Sequence, residues 1–89
     1  MRINPNDPIA HNNLAVSLVK VGKTDEAIEQ FREALRLNGD YQEAHSNLVS
    51  VLLTLGRRDE AVAHLSEALR LKPDDENVKA QLRELGVEK

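Results

Sequence analysis

Cysteine and tryptophan are missing from this 89-residue sequence, and Phe31 and Tyr41 are its only aromatic residues. Without cysteine the chain forms no disulfide and offers no thiolate to a zinc ion. The shortage of aromatic rings argues against single-stranded nucleic acid as a ligand, because such sites stack bases on aromatic side chains. The charges are mixed along the chain, with a net charge of −3 and no basic stripe, so no nucleic-acid partner is expected.

Long apolar runs are also missing. The longest nearly apolar stretch, from Leu48 to Leu55, is far shorter than the roughly 20 residues that span a membrane. The N-terminal residues lack the apolar segment of a secretory signal. We therefore expect no membrane partner. The lack of cysteine, of a membrane-spanning run and of a secretory signal favours a cytoplasmic location, although it does not fix the compartment. The content of 40% apolar and 30% charged residues is typical of a folded domain.

An internal repeat is the main positive feature of the sequence. Residues 8–41 align without a gap to residues 42–75, and 15 of the 34 aligned pairs are identical. The identical pairs include His11 with His45 and Gly22 with Gly56. A period of 34 residues is typical of a repeated pair of helices. Each unit alone cannot bury its apolar face, so we expect the units to pack through stripes of alanine and leucine.

Local signals predict two helices in each unit. Asp7 is placed to cap a first helix that opens with Pro8, and Gly22 is placed to end it. Thr24 is the expected cap of the second helix. In the second unit we expect the first helix to start at Asp40, with Glu43 completing a capping box.

A fifth helix is predicted after the second unit. Pro73 ends that unit, because proline cannot continue a helix. Asp74 or Asp75 then caps a helix with Val78 and Leu82 on its apolar face.

Small and apolar residues recur at matching positions of both units, and a proline ends the second unit: Leu14, Leu18, Gly22, Ala27, Phe31, Ala34, Leu48, Leu52, Gly56, Ala61, Leu65, Ala68 and Pro73. This pattern resembles the tetratricopeptide repeat family. The resemblance implies an all-α fold of five helices, an α-solenoid of antiparallel helix pairs wound as a right-handed superhelix. It divides the chain into a preceding repeat's tail or N-terminal arm (1–7), repeat 1 (8–41), repeat 2 (42–75), and a capping helix with a C-terminal tail (76–89).

The resemblance also implies a concave groove lined by the first helix of each repeat. The groove residues so assigned are Ile9, Asn12, Asn13, Val16, Lys20, Glu43, Ser46, Asn47, Ser50, Leu53, Thr54 and Gln81. Asn13 and Asn47 are one repeat apart, and their amides could pair with the backbone of an extended peptide. The segment from Ala44 to Leu48 is similar to segments in the superhelices of O-linked N-acetylglucosamine transferases, where asparagine ladders occur.

No catalytic or metal site is predicted. His11 and His45 occupy matching positions, but no third ligand accompanies them, so we interpret them as partly buried replacements for aromatic residues. Carboxylate pairs such as Asp25 with Glu26 open helices, where capping and the helix dipole account for them. We therefore expect a protein that is not an enzyme and needs no cofactor.

Three functions remain open from the sequence. The first is a scaffold that binds an extended peptide or a helix of a partner protein in the groove. The second is a self-assembling unit, because about three repeats are usually needed for stability and the first helix has an uncovered edge. Gly39, where the second unit has Pro73, softens the turn between the units and could permit exchange between chains. The third is a fragment excised from a larger scaffold.

Overall fold

The computed structural model of this chain describes residues 4–86. Residues 1–3 of the predicted N-terminal arm and 87–89 of the predicted tail lie outside that range. The described part contains five helices and no strand: α1 Pro8–Lys20, α2 Thr24–Leu37, α3 Gln42–Thr54, α4 Arg58–Leu71 and α5 Glu76–Glu84. The prediction of an all-α fold with five helices is confirmed.

The helix starts follow the sequence period. The Asp7 carboxylate accepts the Ile9 N–H at 2.9 Å at the start of α1. Asp75, two periods later, caps α5 by accepting the N–H groups of Asn77 and Val78 at 3.0 and 3.3 Å. Both caps were predicted from the sequence. A carboxylate at this point satisfies amide groups that have no partner inside the helix.

Two predicted helix starts differ from the structure. Thr24 is the first residue of α2 rather than its cap, and Lys23 precedes the helix without a side-chain bond. The α3 helix begins at Gln42, and the Tyr41 carbonyl accepts the His45 N–H at 3.1 Å. Tyr41, one period after Asp7, therefore stands directly before α3 instead of Asp40. Asp40 donates its own N–H to the Asn38 side chain at 3.1 Å and belongs to the preceding turn.

Glycine ends the first helix of each repeat, as predicted. Gly22 and Gly56 have positive φ angles of 86° and 75°. In both turns the residue after glycine donates its N–H back to the helix at 2.8 Å, from Lys23 to Leu18 and from Arg57 to Leu52. This reversed bond requires a left-handed residue, which only glycine adopts without steric cost.

The chain forms two compact units, Met1–Val51 and Leu52–Lys89. In the first unit α1 packs against α2, and its fully or nearly fully buried apolar residues are Ala15, Ala27, Ile28, Phe31, Ala34, Ala44, Leu48, Val49 and Val51. In the second unit α4 packs against α5, with Leu52, Ala61, Leu65, Val78 and Leu82 buried. Ala27 and Ala61 are both buried, in agreement with the expected packing through stripes of alanine and leucine. The units are defined by packing and the repeats by sequence, so the repeat boundaries stay a prediction.

Candidate protein-interaction surface

The α1 helix carries an uncharged surface. From Pro8 to Val19 it contains no aspartate, glutamate, lysine or arginine, and its one histidine, His11, is buried. Ile9 is 57% exposed, and Asn13 and Lys20 are also exposed, whereas Val16 is half-buried. A partly apolar surface without charge loses little solvation when another chain covers it.

The α3 helix contributes polar groups to the same unit. Glu43, Ser46 and Ser50 are exposed, and Asn47 is half-buried. The Asn47 side chain meets α1, because its Nδ2 donates to Asn12 Oδ1 at 3.2 Å. The structure thus joins two of the residues assigned to the groove.

Asn12 corrects one expectation about this surface. It was assigned to the exposed groove wall, but the residue is only 1% exposed. Its Oδ1 accepts from Asn47, and its Nδ2 is buried without a hydrogen-bond partner of normal geometry. The direct amide contact therefore links Asn12 to Asn47, while Asn13 is exposed.

Tyr41 is a further residue near this pair that the sequence reasoning missed. Burial raises the pKa of its phenol, and the nearby Glu43 carboxylate raises it further. An interaction with the Asn12 side chain lowers the pKa by a smaller amount. Tyr41 is half-buried directly before α3. Its position one period after the cap residue Asp7 was the signal that could have identified it.

The two histidines hold the turns that precede their helices. His11 Nε2 lies 3.1 Å from the Pro5 carbonyl oxygen, and His45 Nε2 lies 2.8 Å from that of Gly39. Each acceptor is six residues before its histidine. A carbonyl can only accept, so Nε2 carries a proton in both rings. His11 Nδ1 also lies 2.7 Å from Gln30 Oε1 on α2. Both histidines are buried, as interpreted from the sequence.

In the second unit, three more of the assigned groove residues lie on α3 and α5. Leu53 and Thr54 are exposed at the end of α3, and Gln81 on α5 is half-buried. The Arg58 guanidinium donates to the Leu85 carbonyl and so anchors the end of α5 to α4. This bond satisfies a carbonyl that has no partner within its own helix.

The charged groups lie mostly on solvent-facing positions. Arg36 pairs with Glu33, and Arg70 pairs with Glu67 one period later. Hydrogen bonds from these arginines lower the pKa of both glutamates. A carboxylate held in its ionised form by an exposed arginine is a poor proton donor at neutral pH. Among residues 4–86, no three histidine, aspartate or glutamate side chains gather as metal ligands would.

No helix in the described range of the chain combines the length and apolar content that crossing a membrane requires. The fold and this surface define a class of protein, in which repeated pairs of helices present their faces to solvent. A profile of the tetratricopeptide repeat family matches residues 18–85, more than half of the chain, and a second profile of that repeat matches residues 1–29. The chain belongs to the tetratricopeptide repeat family. Such repeats generally mediate protein–protein interactions and are typically not catalytic.

Among solved structures, the chain is similar to the one described as the crystal structure of MamA. The TM-score is 0.70 at 19% sequence identity, and the match covers 94% of this chain. The similarity supports a shared fold. The match covers 52% of the MamA chain, so this chain spans about half of its length. A comparison with curated protein sequences found no match.

Proposed function

We propose that this protein is a non-catalytic interaction module that binds an extended peptide or a helix of a partner protein along the first helices of its repeats. The observation that carries the proposal is the neutral, partly apolar surface of α1. Ile9 and Asn13 are exposed there, on a helix that has no aspartate, glutamate, lysine or arginine before Lys20. Apolar contact would supply affinity, and the Asn13 amide can offer both a donor and an acceptor to a peptide group.

The proposed contacts on α3 come from its exposed polar residues. Ser46 and Ser50 are exposed there, and Asn47 keeps its Oδ1 as an acceptor while Nδ2 bonds to Asn12. Leu53, Thr54 and Gln81 are proposed as contacts of the second unit. The likeness to the superhelices of O-linked N-acetylglucosamine transferases stays a prediction, and only amide recognition of a peptide backbone enters the proposal.

A peptide array tests this function. Full-length chain is screened against random extended peptides, and binders are measured by fluorescence polarisation with wild type, Asn13→Ala and the control Glu29→Gln. Glu29 is exposed on α2, outside the assigned residues. We expect Asn13→Ala to weaken binding about fivefold to tenfold, the effect of about 1–1.4 kcal/mol from one lost hydrogen bond. Equal affinity of all three proteins would contradict the assignment of α1 as the binding surface.

A second candidate function is self-association through α1. Ala44 and Leu48 are completely buried, whereas the identical residues one period earlier, Ala10 and Leu14, are only half-buried. Val21, just after α1, is 69% exposed. A second copy that covered these residues would give them the burial that their counterparts already have.

Light scattering over a concentration series separates the two functions. Self-association predicts a mass that rises with concentration, and Val21→Lys should suppress that rise because it places a charge in the contact. Leu71→Lys is the matched control, since Leu71 is also 69% exposed but lies at the end of α4. A constant monomer mass would rule out self-association. The proposal of peptide binding would still stand.

A further inference from the structure

The turn between α2 and α3 contains the dipeptide Asn38-Gly39. Both residues are exposed, and Asn38 has the extended angles φ −145° and ψ 96°. A Cβ atom built on Gly39 would meet only the Leu35 carbonyl oxygen, at 3.9 Å. The backbone nitrogen of Gly39 therefore has no side chain of its own to shield it, and its surroundings are open.

We infer that Asn38 is a site of spontaneous deamidation, a covalent change of the turn that proceeds without an enzyme. The Gly39 backbone nitrogen loses its proton and attacks Cγ of Asn38. A bond forms between that nitrogen and Cγ, the Cγ–Nδ2 bond breaks, and Nδ2 leaves as ammonia with the proton. Water then opens the cyclic imide. Addition at Cγ gives aspartate, and addition at the main-chain carbon gives isoaspartate.

Other asparagines in the chain are poorer sites for this reaction. Four of them lie within helices and precede residues that have side chains: Asn12, Asn13, Asn47 and Asn77. The helix fixes their backbone, and the side chain of the next residue obstructs the attacking nitrogen. Asn6 is the nearest comparison, since it is also exposed in a turn. Its following residue, Asp7, has a side chain and donates its N–H to Asn4 O at 3.0 Å.

Four hydrogen bonds restrain the turn and set the rate. Asn38 N–H donates to Ala34 O at 2.9 Å, Tyr41 N–H donates to Asn38 O at 3.2 Å, and Asp40 N–H donates to Asn38 Oδ1 at 3.1 Å. His45 Nε2 holds the Gly39 carbonyl at 2.8 Å. Ring closure requires rotation about the Asn38 backbone, so the reaction passes through a local opening that these bonds oppose. His45 thus acts as a positioning residue that slows the change.

The products alter the link between the two repeats. Either product adds one negative charge to a chain whose formal net charge is −3. Isoaspartate also inserts one methylene group into the main chain where Asn38 N–H and C=O bond to Ala34 and Tyr41. The change therefore loosens the end of α2 and the start of α3 with time.

Peptide mapping by mass spectrometry tests the inference on the full chain. The folded protein is incubated at mildly alkaline pH, and each asparagine is followed for replacement of its amide by a carboxylate, with isoaspartate detected by its separate elution. We expect the modified fraction at Asn38 to rise first, ahead of Asn6 and of the four helical asparagines. Modification of any of these at the rate of Asn38, or an unchanged Asn38, overturns the inference.

Two variants of Gly39 test whether its backbone nitrogen attacks Asn38. Gly39→Ala should slow the reaction severalfold while keeping the fold, because the space is open and Gly39 is outside the left-handed region. Gly39→Pro should abolish it, because proline has no N–H to lose. Proline fits after this backbone, since Lys72 precedes Pro73 with similar angles of φ −143° and ψ 79°. An unchanged rate in Gly39→Pro contradicts attack by the Gly39 nitrogen. An unchanged rate in Gly39→Ala contradicts the inference that the missing side chain makes Asn38 the preferred site.

His45→Phe keeps a buried ring but removes the bond to Gly39. We expect deamidation about fivefold faster, the factor by which losing one hydrogen bond shifts a local opening. Circular dichroism checks that the helices persist. If the folded variant reacts at the wild-type rate, the hydrogen bond from His45 to Gly39 does not slow deamidation.

Discussion

The two repeats share the local geometry of several identical residues but differ in the turns that follow their second helices. Gly22 and Gly56 end their helices with the same reversed hydrogen bond, and His11 and His45 bond the carbonyl six residues earlier. In contrast, the turn after α2 carries Gly39 where the turn after α4 carries Pro73. These identical residues therefore fix features that both helix pairs share, whereas Gly39 and Pro73 give the two pairs different final turns.

The first helices of the two repeats differ as well. Asn12 and Ser46 are one period apart, but Asn12 is buried against Asn47, whereas Ser46 is exposed. A serine in place of Asn12 would be too short to reach the Asn47 amide. Corresponding positions of the two repeats therefore differ in burial, since the Asn12 amide lies inside the first unit and Ser46 is exposed.

The largest expected effect comes from the core position that holds Phe31 in repeat 1 and Leu65 in repeat 2. Both are completely or almost completely buried. Phe31→Ala should lower the free energy of unfolding by about 3–5 kcal/mol, and Leu65→Ala by about 2–5 kcal/mol, because each leaves a cavity. Urea unfolding followed by circular dichroism measures both. A loss below about 1 kcal/mol at either position would show that the core there can collapse or is not packed as described.

Helix boundaries could be read from the sequence where a side chain or a special backbone conformation dictates them. The carboxylates of Asp7 and Asp75 and the positive φ angles at Gly22 and Gly56 are such cases. The sequence failed at Thr24 and Asp40, because capping residue types also occur one position away from the true start. The period, applied strictly from Asp7, would have placed Tyr41 before α3.

The candidate surface was harder to predict because exposure depends on neighbours in space. Helical spacing put Asn12 and Asn13 on one face, but a one-residue rotation separates a buried amide from an exposed one. The bonds from the histidines to Pro5 and Gly39 join side chains to turn carbonyls, and no sequence pattern specifies such pairs. Partial burial of the histidines, by contrast, was predicted, because they replace aromatic residues of the family pattern.

The next largest effect tests whether the histidine bonds are equivalent in the two repeats. His45→Ala and His11→Ala each remove a buried ring and its bond to a turn carbonyl. We expect each to cost about 1–3 kcal/mol in unfolding free energy. Ser46→Ala, an exposed neighbour, should change it by less than about 0.5 kcal/mol. Costs that differ strongly between the two histidines would show that the shared geometry does not imply a shared contribution.

A smaller effect distinguishes the adjacent asparagines Asn12 and Asn13. Asn12→Leu removes a buried amide whose Nδ2 lacks a partner, so stability should change by no more than about 1 kcal/mol and could increase. Asn13→Ala, at an exposed position, should change stability by less than about 0.5 kcal/mol while weakening peptide binding. Thermal unfolding and the polarisation assay report the two properties separately. If Asn12→Leu weakens peptide binding and Asn13→Ala does not, the peptide contacts the Asn12 amide instead of Asn13.

The smallest expected effect is the alkaline titration of Tyr41, which occupies the position that Asp7 and Asp75 hold at their own helices. Burial, and then the Glu43 carboxylate, raise the pKa of its phenol, so the folded state keeps the proton to higher pH than the unfolded state. A raised folded-state pKa gives a stability contribution that is complete below the unfolded pKa of about 10 and is lost as pH rises through the folded value. Because Tyr41 is the only tyrosine and tryptophan is absent, tyrosinate absorbance follows this one residue. We expect a midpoint above the ordinary tyrosine value, a midpoint closer to it in Glu43→Gln, and weaker alkaline destabilisation in Tyr41→Phe. A midpoint at or below the ordinary value would contradict the burial of the Tyr41 phenol.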